Sequence, residues 1–181
     1  MGLFNRKTSR AELVPAIAAA LELAKGERVL AFAVDDFTGA HVVATTYALA
    51  VVTSTPVTST AERTARRRWL SVDTGSWEPE TSTLTVTWAD GGRPGQWSFR
   101  DQQTLLPETL RERVQASVVL STRLTLGDRR SGRVAIRQDF ATRELIAQTI
   151  LGRDARADDP EVRAHVQAAL AHLRDQVGLP A

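Results

Sequence analysis

The sequence predicts an α+β fold dominated by antiparallel strands. Its expected form is a partly open barrel of two near-orthogonal sheets with a capping helix, followed by a C-terminal β-meander and a long terminal helix. Three observations predict it. Short extended segments recur roughly every 8–12 residues between turn signals over residues 28–100. All four tryptophans, Trp69, Trp77, Trp88 and Trp97, fall inside residues 66–100, each within one such segment. Two helical patterns with proline in the first turn then follow, near Pro107 and near Pro160.

Each element has its own signal. Ser9-Arg10-Ala11-Glu12 has the form of a capping box, with Leu13, Ile17, Leu21 and Ala24 at helical spacing and Gly26 as the stop. Pro15 either kinks this helix or moves its start to about Val14. Residues 28–34 form an apolar strand closed by Asp35-Asp36-Phe37-Thr38-Gly39. Residues 41–53 are too long and too β-branched for one strand and split at Thr45-Thr46-Tyr47 into a tight hairpin. Residues 54–64, rich in Ser and Thr around Pro56, read as a loop, and residues 65–72 as the next strand.

In residues 82–88 the alternation is clean: Leu84, Val86 and Trp88 share one face, and Thr83, Thr85 and Thr87 share the other. Asp90 to Gly95 form a turn, after which Trp97 and Phe99 are expected opposite Trp88 and Val86. A helix from Pro107 buries Leu110, Val114 and Val118. Strands are expected at 117–126, 133–138 and 144–150. The last helix, capped by Asp159, buries Val162, Val166, Leu170, Leu173 and Val177 and stops at Gly178. The chain reads as one domain, 1–181, with a core of about 27–118 and an extension of about 119–178.

Composition narrows the function classes. The absence of cysteine excludes disulfides, thiolate metal sites and cysteine nucleophiles, and suits the cytoplasm. No apolar run reaches the ~20 residues needed to span a bilayer, and the N-terminal residues fit neither a secretory signal nor a myristoylation pattern. The net charge is +2, and only Lys7 and Lys25 among 23 basic residues are lysines. Arginines scattered among acids are the usage of a GC-rich bacterial genome rather than a nucleic-acid footprint.

Residues 29–100 carry a resemblance. Gly26-Glu27-Arg28-Val29-Leu30 enters a strand, Val43-Ala44-Thr45-Thr46-Tyr47-Ala48-Leu49 forms a hairpin, and Arg66-Arg67-Arg68-Trp69 ends a strand before the second sheet. This set resembles the bacterial pleckstrin-homology-like (PH-like, GRAM-like) domains. The whole chain is also similar to short actinobacterial proteins of unknown function, through Trp88-Ala89-Asp90-Gly91-Gly92, residues 106–117 and the helix at Asp159. The resemblance implies a β-rich fold plugged by a helix and leaves residues 119–181 uncovered. It fixes no ligand, since related folds bind lipid headgroups, peptides or proteins.

The candidate binding site is Arg63, Arg66, Arg67 and Arg68 with Trp69 beside them, with Glu62 the only nearby acid. Such a cluster offers phosphate or an anionic surface a set of forked donors, with an indole for stacking. Its structural counterpart is a set of arginines guarding a strand edge, with Trp69 in the core. Four arginines supply at most about four phosphate contacts, below the six to ten of a committed DNA binder. His165 and His172 are seven residues apart on one helix, about 10 Å along its axis, too far for one metal. His41 has no evident partner.

Asp35-Asp36 and Asp158-Asp159 occupy a turn and a helix start, where acids belong structurally. There is no nucleophile elbow, P-loop or dinucleotide fingerprint. The expectation is therefore a non-enzymatic interaction module without metal or cofactor, binding a protein partner or itself. Anionic-ligand or membrane-surface binding is the alternative, and an enzyme would need a deep pocket of convergent Asp, His or Arg.

Overall fold

The computed structural model describes residues 13–54, 61–127 and 129–179. Among them are ten strands in three antiparallel sheets, with three α-helices. The first sheet holds β1 (Val29–Val34), β2 (His41–Thr45), β3 (Ala48–Ser54) and β4 (Ala61–Arg68) in that order. The second holds β5 (Val72–Glu78), β6 (Thr83–Trp88) and β7 (Gly95–Ser98). After α2 (Leu106–Ser117) come β8 (Val118–Arg123), β9 (Gly132–Gln138) and β10 (Leu145–Leu151), with β9 central, and then α3 (Pro160–Gln176).

The α+β class and the seven strands before α2 stand as expected. The barrel does not: the first two sheets share no strand pairing and neither closes on itself. The reason lies at the junction. The strand expected over 65–72 breaks at Trp69–Ser71, a single 3₁₀ turn that carries the chain from β4 to β5. Trp69 sits in that corner at 1% exposure and donates its indole N–H to the Thr45 carbonyl at 2.9 Å. A buried indole with its one donor satisfied is a stable anchor for a turn between sheets.

The first sheet is covered on both faces, which explains the unbroken apolar character of β2 and β3. Ile17 and Leu21 pack with Val43, Ala50 and Val52 on one face. Val42, Ala44 and Leu49 face the main core, which Trp69, Leu84, Val86, Phe99, Leu106 and Leu110 complete. The helix supplying Ile17, α1 (Pro15–Ala20), starts with Pro15 in its first turn after Val14, one of the two starts expected. The capping box at residues 9–12 lies outside the described residues. The helix ends well before Gly26, because Glu22 already has φ 45°, a left-handed conformation that cannot continue an α-helix.

Three further expectations are corrected. Val118 is not part of the α2 stripe: it begins β8 and is exposed, whereas Leu106 and Leu110 carry the buried face. Trp88 does not face Trp97. Trp97 pairs with Leu84, and Trp88 pairs with Val72 on β5 because β7 is too short to reach it. Residues 61–64, expected in a loop, belong to β4.

The extension has its own core, in which α3 lies on the third sheet through Val134, Ile136, Val162 and Leu173. Asp159 caps α3 by accepting from the Glu161 N–H at 2.9 Å. Gly178 ends it in a Schellman arrangement, with Leu179 N–H on Arg174 C=O and Gly178 N–H on Asp175 C=O. No helix among the described residues is long and apolar enough to cross a membrane.

Candidate functional site

The arginine stretch lies on β4, one of the two edge strands of the first sheet. Alternation along a strand sends neighbouring side chains to opposite faces. Arg66 and Arg68 pair in register with Ala50 and Ala48, and Arg67 with Leu49, so Arg67 shares the face of the main core. Arg63 pairs in register with Thr53, and its side chain lies outside the described residues.

Each described guanidinium reaches an acid far away in the chain. Arg66 binds the fully buried Glu27 carboxylate and also donates to the Leu21 carbonyl at 3.0 Å. Arg67 reaches Asp90 in the β6–β7 turn at 2.8 Å and lies over the Trp88 ring, 4.4 Å from its centroid. Arg68 binds the buried carboxylate of Asp139 in the β9–β10 turn while remaining 57% exposed. The stretch thus ties three separate loops to one strand, and Trp88 rather than Trp69 is the indole that stacks on an arginine.

Burial alone would raise the Glu27 carboxyl. Hydrogen bonds from Arg66, the Thr45 hydroxyl and the Ala24 N–H, with the Arg66 charge, hold it below its ordinary value. The Gly92 N–H and Arg67 likewise lower Asp90.

Arg137, which the sequence did not mark out, is the most enclosed cation among the described residues, 1% exposed on β9. Its guanidinium donates to the carbonyls of Trp69 at 2.9 Å, Leu70 at 3.1 Å and Val72 at 2.6 Å, and its Nε donates to Ser117 Oγ at 3.1 Å. A planar fork of five N–H donors suits this set of acceptors. Burial first, and the charge of Arg133 second, push its pKa down to about 10, with Asp73 partly offsetting them, so it stays charged at neutral pH. The turn between the first two sheets is therefore held by the third. No sequence signal distinguishes Arg137 from the other arginines: β9 also carries Arg133, four residues earlier.

The remaining candidates have structural partners. Asp35 accepts from Thr38 N–H at 2.9 Å and Ser98 N–H at 2.8 Å, and Asp36 accepts from Arg100 N–H at 2.7 Å, so this pair fastens the β1–β2 turn to the end of β7. Asp158 pairs with Arg156, and Asp159 is the cap of α3. His165 and His172 lie exposed on α3, with Glu161 O and the Gln176 side chain as neighbours. His41 Nδ1 is enclosed without a hydrogen-bond partner among the described residues, and burial lowers its pKa.

Two surface depressions accompany these groups. One, about 420 Å³, lies on the threonine face of the second sheet between Trp77, Thr83, Thr85 and Gln96. The other, about 220 Å³, lies between Ser71, Ala89 and Asp90 on one side and Gln148 and Thr149 of β10 on the other. Neither brings together an acid, a base and a nucleophile. No group of three His, Asp or Glu side chains able to hold a metal occurs among the described residues.

The fold and these contacts define an α+β protein whose arginine stretch joins its sheets. Comparison of the chain with protein-family models, curated proteins and solved structures finds no match in any of the three.

Proposed function

We propose that this chain is a non-enzymatic, cytoplasmic interaction module of pleckstrin-homology-like fold that binds a protein partner or a second copy of itself. The carrying observation is the contrast between its ionic and apolar groups. Arg66, Arg67 and Arg68 are each paired with an acid of the same chain. Phe37 and Leu105, in contrast, are 76% and 70% exposed, and the outer strands β8 and β10 lie at the surface. Exposed apolar side chains and strand edges recognise other polypeptides by contact and strand pairing. The fold part of the reading is supported by four strands, then three, then a helix that contacts both sheets.

The second reading is an anionic ligand or membrane surface bound through Arg63, Arg66, Arg67 and Arg68, and the exposure of Arg68 favours it. It is weaker because binding would draw these guanidinium groups away from Glu27, Asp90 and Asp139. Affinity purification of the full chain from native lysate, with a mass measurement of the pure protein, tests the first reading. A monomer at high concentration with no retained protein removes it. Salt-sensitive binding to acidic vesicles, lost in a folded Arg66→Glu, Arg67→Glu, Arg68→Glu variant, would establish the second.

A further inference from the structure

The strand edges of this protein are protected unequally. The outer edge of β1 is closed by side chains: Gln102 bonds both the N–H and C=O of Val34, and Thr104 donates to the Phe32 carbonyl. Charged Arg66 and Arg68 lie on β4, β5 and β8 carry register irregularities, and β7 is only four residues long. These are the devices that keep edges from pairing with other chains.

β10 has none of them. It pairs with β9 without interruption from Leu145 to Leu151 and contains no charged residue, proline or glycine. Every one of its residues keeps partial exposure. Among the described residues, no hydrogen bond reaches its outward backbone groups. Its sequence, Leu145-Ile146-Ala147-Gln148-Thr149-Ile150-Leu151, reads nearly the same in both directions about Gln148. The outer positions are Leu and Leu, the next Ile and Ile, and the inner pair Ala and Thr.

We propose that β10 pairs antiparallel with β10 of a second copy about a twofold axis at Gln148, joining two three-stranded sheets into one of six. This deepens the interaction-module reading above and rests on it. A twofold interface must be self-complementary, and in this register Leu145 meets Leu151, Ile146 meets Ile150, Ala147 meets Thr149 and Gln148 meets its own copy. No charge is desolvated and no apolar side chain is opposed by a polar one, apart from the small Ala–Thr pair. The palindrome selects a second copy over an unrelated peptide, which would not need it. A strand of seven residues, about 24 Å long, makes a small interface. The dimer is accordingly weak and concentration-dependent, below the roughly 1,200 Å² of standard stable complexes.

Because the chain has no cysteine, single-cysteine variants test the register without background. Directly opposed antiparallel residues lie about 4.5–5.5 Å apart at Cα, within disulfide reach. Gln148→Cys is expected to give a disulfide-linked dimer under mild oxidation. Ile146→Cys alone, about 14 Å from its own copy, gives none but links to an Ile150→Cys chain when the two are mixed. The mass of the unmodified protein doubles as its concentration is raised.

A monomer at every concentration, or a dimer that Gln148→Cys fails to link, overturns the proposal. If that monomer still retains a protein from native lysate, the interaction-module reading survives; if it retains nothing, both fall.

Discussion

The Arg67 guanidinium lies 4.4 Å from the centroid of the Trp88 ring. The same side chain donates to Asp90 at 2.8 Å, and the Trp88 indole N–H donates to the Arg93 carbonyl at 3.0 Å. The β6–β7 turn is thereby folded back over β4. Part of the arginine stretch that looked like a free cationic surface is a stacked clasp between two sheets.

Removing that clasp should be felt optically more than energetically. Arg67→Ala is expected to shift the Trp88 contribution to the fluorescence spectrum, since a cation leaves the face of a half-buried indole. Both members of the ion pair are substantially exposed, so solvent screening leaves only a small loss in a denaturant titration. An unchanged spectrum would contradict the stacking.

Glu27 gives the protein an acid-sensitive joint. Its folded pKa lies below its unfolded one, so the unfolded chain takes up a proton at higher pH than the folded chain does. The stabilisation is complete above the ordinary glutamate value of about 4.3 and is lost as pH falls through the lowered folded value. Unfolding free energies measured from pH 6 down to pH 3 should fall more steeply for the native chain than for Glu27→Gln. Parallel profiles would show that the Arg66–Glu27 pair does not govern this limb.

Arg137 is the position where a charge-preserving change should fail. Without its fork, the carbonyls of Trp69 and Val72 lose a buried donor, at about 1–3 kcal/mol for each unsatisfied group. Arg137→Leu should therefore cost about 3–5 kcal/mol. Arg137→Lys should recover only part of this, because an ammonium cannot reproduce the planar set of donors. Full recovery by lysine in a thermal melt would mean that charge alone matters.

Gly75 lies directly beneath α2. A Cβ added there would overlap Leu110 Cδ2, and Leu110 is 1% exposed, with little room to turn aside. Gly75→Ala should destabilise by about 1–3 kcal/mol through overpacking. Combined with Leu110→Ala, it should cost less than the sum of the two single changes. Additive effects would remove this contact as the cause.

Local chemistry made much of this protein legible from its sequence. Alternation at Leu84 and Val86, the turn signals at Asp35–Gly39, the hairpin at Thr46-Tyr47, the cap at Asp159 and the stop at Gly178 all depend on residues close together in the chain. The strands and caps they specify are present. What the sequence left open was set by distance. Arg66, Arg67 and Arg68 are consecutive, yet their acids lie 39, 23 and 71 residues away, on three different loops. Arg137 finds its acceptors across 65 to 68 residues at the 3₁₀ turn. Periodicity shows which face a side chain occupies but not which sheet will cover that face. For that reason the sequence determined the elements and their order. Only the tertiary packing decided that there are three sheets rather than a barrel, that Trp69 anchors the corner while Trp88 stacks on Arg67, and that β10 is the edge left unguarded.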